Sequence, residues 1–351
     1  MQRSRSLVLG AVVVGLSVVT LSGTSHADHR GGAQICSLGS ADVGQPGTVI
    51  CKDVASGDAT QTIPVGATVS AAGGIAASLV SRDDRVLVTN QAGGAVLFRL
   101  VDGRLKAPVM LQTDGEGSLS GALGDRGAYV LTGTTLRFFP SGQATASSAR
   151  KLLLGDGSAA TVTLANRFAY VSEKNGSLEA FPLGYDGRLS GAAAPVAGIT
   201  PGVIVGITGF DELVVAPIAH LASNAAQAEI SLSSRLGQVQ RVPTKEGAAC
   251  WAANDDGQVC VANPGSMTIS CGHTNGDSFL SYTSAAASLP GESVFDVDMW
   301  QGLVGLQGVH GGKPVLLVFR RTAGDFLTAV SETPVGTALA AGALLLPAIS
   351  R

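Results

Sequence analysis

The sequence predicts an all-β fold, a seven-bladed β-propeller closed by its C-terminal strand, and three observations carry that prediction. A unit of small residues, polar turn, β-branched strand, loop and second apolar strand recurs roughly every 40 to 45 residues. Its polar turns fall at Asp83-Asp84-Arg85, Gly124-Asp125-Arg126, Leu164-Ala165-Asn166-Arg167, Asp211-Glu212 and Asp255-Asp256-Gly257, with a weaker one at Trp300-Gln301-Gly302. The two ends of the repeat region carry strands that lack partners of their own. One small twisted sheet cannot bury both faces alone, so stacking such units in a ring is the expected solution.

In the first full unit, Ile75 to Val80 is the expected innermost strand, Val86 to Asn90 the second and Ala95 to Val101 the third. Asp102-Gly103-Arg104 then turns into an outer strand, since Asp-Gly between alternating runs is a strong hairpin signal. The order repeats with Phe168 to Ser172, Leu178 to Leu183 and the turn Asp186-Gly187-Arg188. Further pairs are Leu213 to Ala216 with Glu229 to Ser233, and Val259 to Ala262 with Met267 to Cys271. Leu303 to Leu306 with Val315 to Arg320 makes the last of six full units. Ala33 to Leu38, Thr48 to Asp53 and Gln61 to Val65 then supply three strands of a seventh blade, and Thr337 to Leu346 supplies its inner one. Such closure removes the exposed edges of an open stack. A six-bladed ring with an N-terminal extension is the alternative.

Residues 1–27 read as a signal peptide: Arg3 and Arg5 precede an apolar run from Leu7 to Leu21, and Ser25-His26-Ala27 offers a cleavage site. An uncleaved anchor is the competing reading. Residues 28–351 are then one extracytoplasmic propeller domain. The 47 glycines suit many tight turns. A formal net charge of −3 without basic runs argues against nucleic acid. No membrane segment is expected once the signal is removed, and the chain is expected to be monomeric.

Cys36 and Cys51 fall on adjacent strands of the terminal blade, and Cys260 and Cys271 on adjacent strands of another, so an exported chain should form both bridges. Cys250, beside Trp251 on an inner strand, is left as a buried structural thiol. No Cys-x-x-Cys spacing suggests a metal, and no cofactor is expected.

The run Tyr170 to Leu183, continuing to Asp186-Gly187-Arg188, resembles the fourth blade of bacterial lactonase-like propellers, the family named after 6-phosphogluconolactonase and 3-carboxymuconate cyclase. Ala249-Cys250-Trp251-Ala252, followed by Asn254-Asp255-Asp256-Gly257 and Val261-Ala262-Asn263-Pro264-Gly265-Ser266, resembles that family's Cys-Trp blade. The resemblance implies a seven-bladed ring and a charged channel mouth of His, Arg and acidic residues. No stretch here matches that constellation residue by residue. The inner strands Ile75-Ala76-Ala77-Ser78, Ser120 to Leu123, Ala159 to Val162 and Val203 to Gly206 offer hydroxyls and small apolar groups without charge. Lactone hydrolysis needs a base and an oxyanion donor, and these strands provide neither.

Polar chemistry gathers instead in loops between second and third strands. Glu173 and Lys174 could hold a hydroxylated or acidic ligand, His220 lies in the longest such loop, and His310 sits among glycines. Each also has a plain reading as a solvated loop residue. Two function classes follow: a secreted lactonase-like hydrolase or cycloisomerase acting on a lactone or related carboxylated small molecule, and a non-catalytic propeller binding a small molecule, glycan or protein on these loops.

Overall fold

Two of the Asp-Gly turns, Asp102-Gly103 and Asp256-Gly257, close hairpins with both central residues at the positive φ that two-residue hairpin turns require. Asp102 and Gly103 lie at φ 52° and 72°, and Asp256 and Gly257 at 47° and 74°. Gln301 and Gly302, the weakest of the turn signals, do the same at 49° and 74°. The computed structural model describes residues 32–42, 45–68, 79–89, 94–199, 202–219, 232–233, 238–242, 246–275, 278–322 and 326–349. Among them no helix occurs.

β1 (Ala33–Ser40), β2 (Pro46–Asp53) and β3 (Ala59–Thr68) come first. β4 (Leu79–Arg82), β5 (Arg85–Thr89), β6 (Ala95–Val101) and β7 (Arg104–Leu111) form an antiparallel sheet. Two more follow: β8 (Ser118–Gly124), β9 (Gly127–Thr132), β10 (Thr135–Pro140) and β11 (Ser148–Lys151), then β12 (Ala159–Ala165), β13 (Phe168–Glu173), β14 (Leu178–Pro182) and β15 (Ala194–Pro195). The next repeat contains β16 (Val203–Ile204), β17 (Thr208–Phe210), β18 (Leu213–Val215), β19 (Ile218–Ala219), β20 (Leu232–Ser233) and β21 (Gln238–Val239). There β17, β18, β20 and β21 make the sheet, and β16 pairs with β19 beside it. β22 (Trp251–Asp255), β23 (Gln258–Asn263), β24 (Thr268–Asn275) and β25 (Ser278–Ser288) form another sheet. β26 (Ser293–Trp300), β27 (Leu303–His310), β28 (Lys313–Arg321) and β29 (Leu327–Pro334) form the last built from one stretch of chain. Six sheets thus arise from consecutive repeats in a β-propeller arrangement. β30 (Leu339–Pro347) pairs with β1, giving a further sheet in the order β3-β2-β1-β30.

Several strand assignments shift. The expected inner strand at Val203 to Gly206 is displaced by β17, because 203–204 pair sideways with 218–219. Cys250 lies just before β22 rather than on it. Of the expected strand Ile75 to Val80 only β4 at its C-terminal end can be placed, since 69–78 lie outside the described residues, as does the whole N-terminal leader.

The core sits between neighbouring sheets. Tyr129, Leu131 and Phe138 of one sheet pack with Val171 and Phe181 of the next. The terminal sheet uses strand alternation to serve two neighbours: Leu344 and Leu346 pack with Val86 and Phe98, and Leu345 between them packs with Leu316 and Val318. Hairpin carbonyls dock on the preceding sheet. Gln34 and Gln61 donate to the Gly103 carbonyl at 2.5 and 2.8 Å, and the Tyr129 hydroxyl donates to that of Gly187 at 2.6 Å. Gly103 also backs against Ala348 with no room for a side chain.

Cys36 lies opposite Cys51 and Cys260 opposite Cys271, and both pairs are disulfides. The first spans 15 residues, a loop whose closure is worth on the order of 3 kcal/mol in the chain-entropy model. Cys250 is the free cysteine, and burial pushes its thiol up to about 12, so it is a neutral, inert thiol at physiological pH. Alkylation of the unfolded, unreduced protein should label Cys250 alone. A label on any other cysteine, read by peptide mapping, would overturn this pairing.

Candidate binding site in the central channel

The innermost strand of a sheet is paired on one side only, so its other backbone groups need partners elsewhere. Here they find side chains from the adjacent sheet. The Ser120 hydroxyl accepts from the Val162 amide at 3.2 Å. Thr161 accepts from the Ile207 amide at 3.1 Å and donates to the Val205 carbonyl at 2.7 Å. Asn254 reaches the Gly209 carbonyl at 3.4 Å. Asp296 and Asp298 accept from the amides of Ala343 and Leu345 at 3.0 and 2.7 Å, tying β26 to β30. The repeat period thus reappears as a set of sheet-to-sheet latches.

These inner strands surround a cavity of about 600 Å³ bordered by Ser81, Gly121, Thr161, Thr163, Thr208, Trp251, Asn254, Asp296, Asp298, Trp300 and Leu345, among others. That corrects the expectation of an uncharged channel: two acidic residues of β26 border it. Burial, with Asp296 and Asp255 nearby, raises the Asp298 carboxyl to about 7, against the opposing amide bonds from Leu345 and Met299. Asp298 keeps some accessible surface, yet protein surrounds it closely enough for desolvation to dominate. Among the described residues lining the cavity, Arg82 is the one cation, and it is exposed and ion-paired with Asp125 at 2.6 Å. Trp251 is 7% exposed, meets Phe295 edge-on, and its indole N–H has no acceptor. The lumen can therefore exchange a proton near neutral pH, and its charge disfavours anions.

The loop candidates are placed as follows. Glu173 ends β13 and is wholly buried, with Oε2 accepting from the Ser158 hydroxyl at 2.7 Å and Oε1 without a partner. Burial raises its carboxyl to about 7, with Glu179 and Asp156 adding to the rise and Ser158 and Lys174 opposing it. Glu179, equally buried, accepts from the Leu153 and Leu154 amides at 2.9 and 3.0 Å. Lys174 is exposed at the turn. His310 is exposed on a different sheet, with Nδ1 2.6 Å from Glu332. His220 lies outside the described residues. Asp296 and Asp298 went unread as site residues, although their alternation with Phe295, Val297 and Met299 places them on one face of a strand.

No family model matches the sequence, and no curated protein does. Among solved structures, the chain is similar to a candidate 6-phosphogluconolactonase from Bacteroides fragilis, with TM-score 0.55 and 10% identity over 91% of this chain and 99% of that one. It is also similar to a chain of a nidogen/laminin complex, with TM-score 0.51 and 13% identity over 74% of this chain and 97% of that one. At these identities the likeness carries the propeller fold alone.

Proposed function

We propose that the protein is an exported, seven-bladed propeller, closed where β30 joins β1, that binds a small hydroxylated molecule in its central channel. Closure is supported by the packing of the terminal sheet against both β4–β7 and β26–β29. Export with cleavage after Ala27 accords with two disulfides. The observation that carries the binding reading is the cavity of about 600 Å³, a size typical of small-molecule sites, edged by hydroxyls, an amide and carboxylates. Lys174, His220 and His310 remain candidates for contacts on the loop side.

Lactone hydrolysis is the second reading, favoured by the near-neutral carboxyl of Asp298 as a general base. Among the described residues the one lumen cation, Arg82, is ion-paired with Asp125, which weighs against a phosphorylated or carboxylated substrate. The test is thermal unfolding against a panel of neutral sugars, polyols and lactones, with lactone turnover followed in parallel. At a ligand concentration a hundred times Kd, binding should stabilise the protein by about 2.7 kcal/mol. Ala252→Trp, which places a bulky ring at the cavity wall, should reduce that gain. A gain that survives it moves the site to the loops, and turnover lost in Asp298→Asn establishes the hydrolase reading.

A further inference from the structure

The crossover from β11 to β12 is fastened by two buried carboxyls. Residues 153–157 of it are exposed, and a side chain added at Gly155 or Gly157 would meet nothing. Hydrogen bonds rather than packing therefore hold this stretch. The Leu153 and Leu154 amides donate to Glu179 at 2.9 and 3.0 Å, and the Lys174 amide donates to the Ser158 carbonyl at 2.8 Å. The Ser158 hydroxyl lies 2.6 Å from Asp156 Oδ1 and 2.7 Å from Glu173 Oε2. A hydroxyl has one hydrogen to give, so two ionised carboxylates cannot both be bonded to it. The closed geometry needs one further hydrogen, carried by one of the two acids. Asp156 is exposed and also accepts from the Ser158 amide at 2.9 Å, which suits its charged form. Glu173 is wholly buried and its Oε1 has no partner, which suits the neutral form. The further hydrogen therefore belongs to Glu173.

We infer that residues 153–158 form a pH-sensitive strap, closed while Glu173 keeps its proton beside Ser158 and Asp156, and released when that proton is lost to solvent. The inference is independent of what the channel binds. The charged groups that act on Glu173 are Glu179 on β14, Asp156 on the strap and Lys174 in the β13–β14 turn. Burial, Glu179 and Asp156 raise its carboxyl to about 7, and exposed Lys174 opposes them least among its neighbours. Once ionised, Glu173 repels Glu179 and Asp156, and lifting the strap lets water reach all three. The strap's hold is thus complete below about pH 4.5 and is lost as pH rises through 7.

Amide hydrogen exchange of the whole protein without denaturant, corrected for the intrinsic rate at each pH, reads the opening. The Leu153, Leu154 and Lys174 amides report on the strap, and the amides of β9 report on the core. Between pH 5 and pH 8 the strap's opening equilibrium should rise roughly thirty- to a hundredfold, by linkage to one carboxyl raised from 4.5 to about 7. Low urea should change that opening little, since a local event exposes little surface. Glu173→Gln, neutral at both pH values, should keep the strap closed and lose most of the rise. Equal protection at both pH values in the wild-type protein would overturn the inference. A rise that Glu173→Gln leaves intact would overturn it too, by placing the titrating group elsewhere. Strap amides that exchange only together with those of β9, and faster as urea increases, would show that no local strap opens.

Discussion

Deleting Thr337 to Arg351 is expected to leave no cooperatively folded protein at 25 °C. Leu344, Leu345 and Leu346 are each 1% exposed, and burying a leucine side chain contributes about 1.5–3 kcal/mol. Three of them amount to roughly 5–9 kcal/mol, comparable with the whole stability of a typical domain, about 5–15 kcal/mol. The deletion also strips Asp296 and Asp298 of the amides that hold them, leaving two carboxyls in the lumen with fewer donors. It exposes the open edge of β1 as well. The milder change Leu345→Ala should cost about 2–5 kcal/mol, because its cavity opens between two sheets that cannot readily collapse. Urea unfolding followed by circular dichroism measures both. A truncated protein that unfolds like the full chain would show that β30 is dispensable and that the ring does not close through it.

The parts of this fold that could be read from the sequence are those fixed by local chemistry. Asp102-Gly103 and Asp256-Gly257 announce their hairpins because few other residues accept positive φ. The short turn Asn263 to Ser266 sets the register that puts Cys260 opposite Cys271. The repeat around 203–219 was harder, because Gly206 and Gly209 interrupt the alternation and strands of two or three residues leave little pattern. Asp296 and Asp298 were hidden for a different reason. Alternating Asp with Val and Met reads as an ordinary half-exposed strand, and only the propeller arrangement sets that polar face against the backbone of β30 at the edge of the cavity. Glu173 precedes Lys174-Asn175-Gly176 and so looks like the start of a loop. The structure carries the strand through it, and what covers it, the 156–158 turn, belongs to another part of the chain.

That buried glutamate should make the protein more stable in mild acid than in mild base. A carboxyl raised from 4.5 to about 7 on folding is held in its neutral form by the fold. Its contribution is therefore fully present below about pH 4.5 and is lost as pH rises through 7, the reverse of an ion-paired carboxylate. A shift of this size is worth about 3 kcal/mol above pH 7, at 1.36 kcal/mol per pKa unit. Glu179 and Asp156 press in the same direction, and Lys174 is too exposed to offset them. Glu173→Gln removes the titration, keeps an oxygen for the Ser158 hydroxyl, and gives Glu179 an amide donor as a neighbour. It should raise stability at pH 8 by about 2–3 kcal/mol and change it little at pH 5. Asp298, raised to about 7 by the same cause, still titrates in that variant, so a residual slope between pH 5 and 8 is expected until it too is made neutral. Urea unfolding of the wild-type protein, Glu173→Gln and the double variant Glu173→Gln, Asp298→Asn at both pH values measures each step. An unchanged difference between pH 5 and pH 8 in the single variant would mean that Glu173 does not carry its proton in the folded protein.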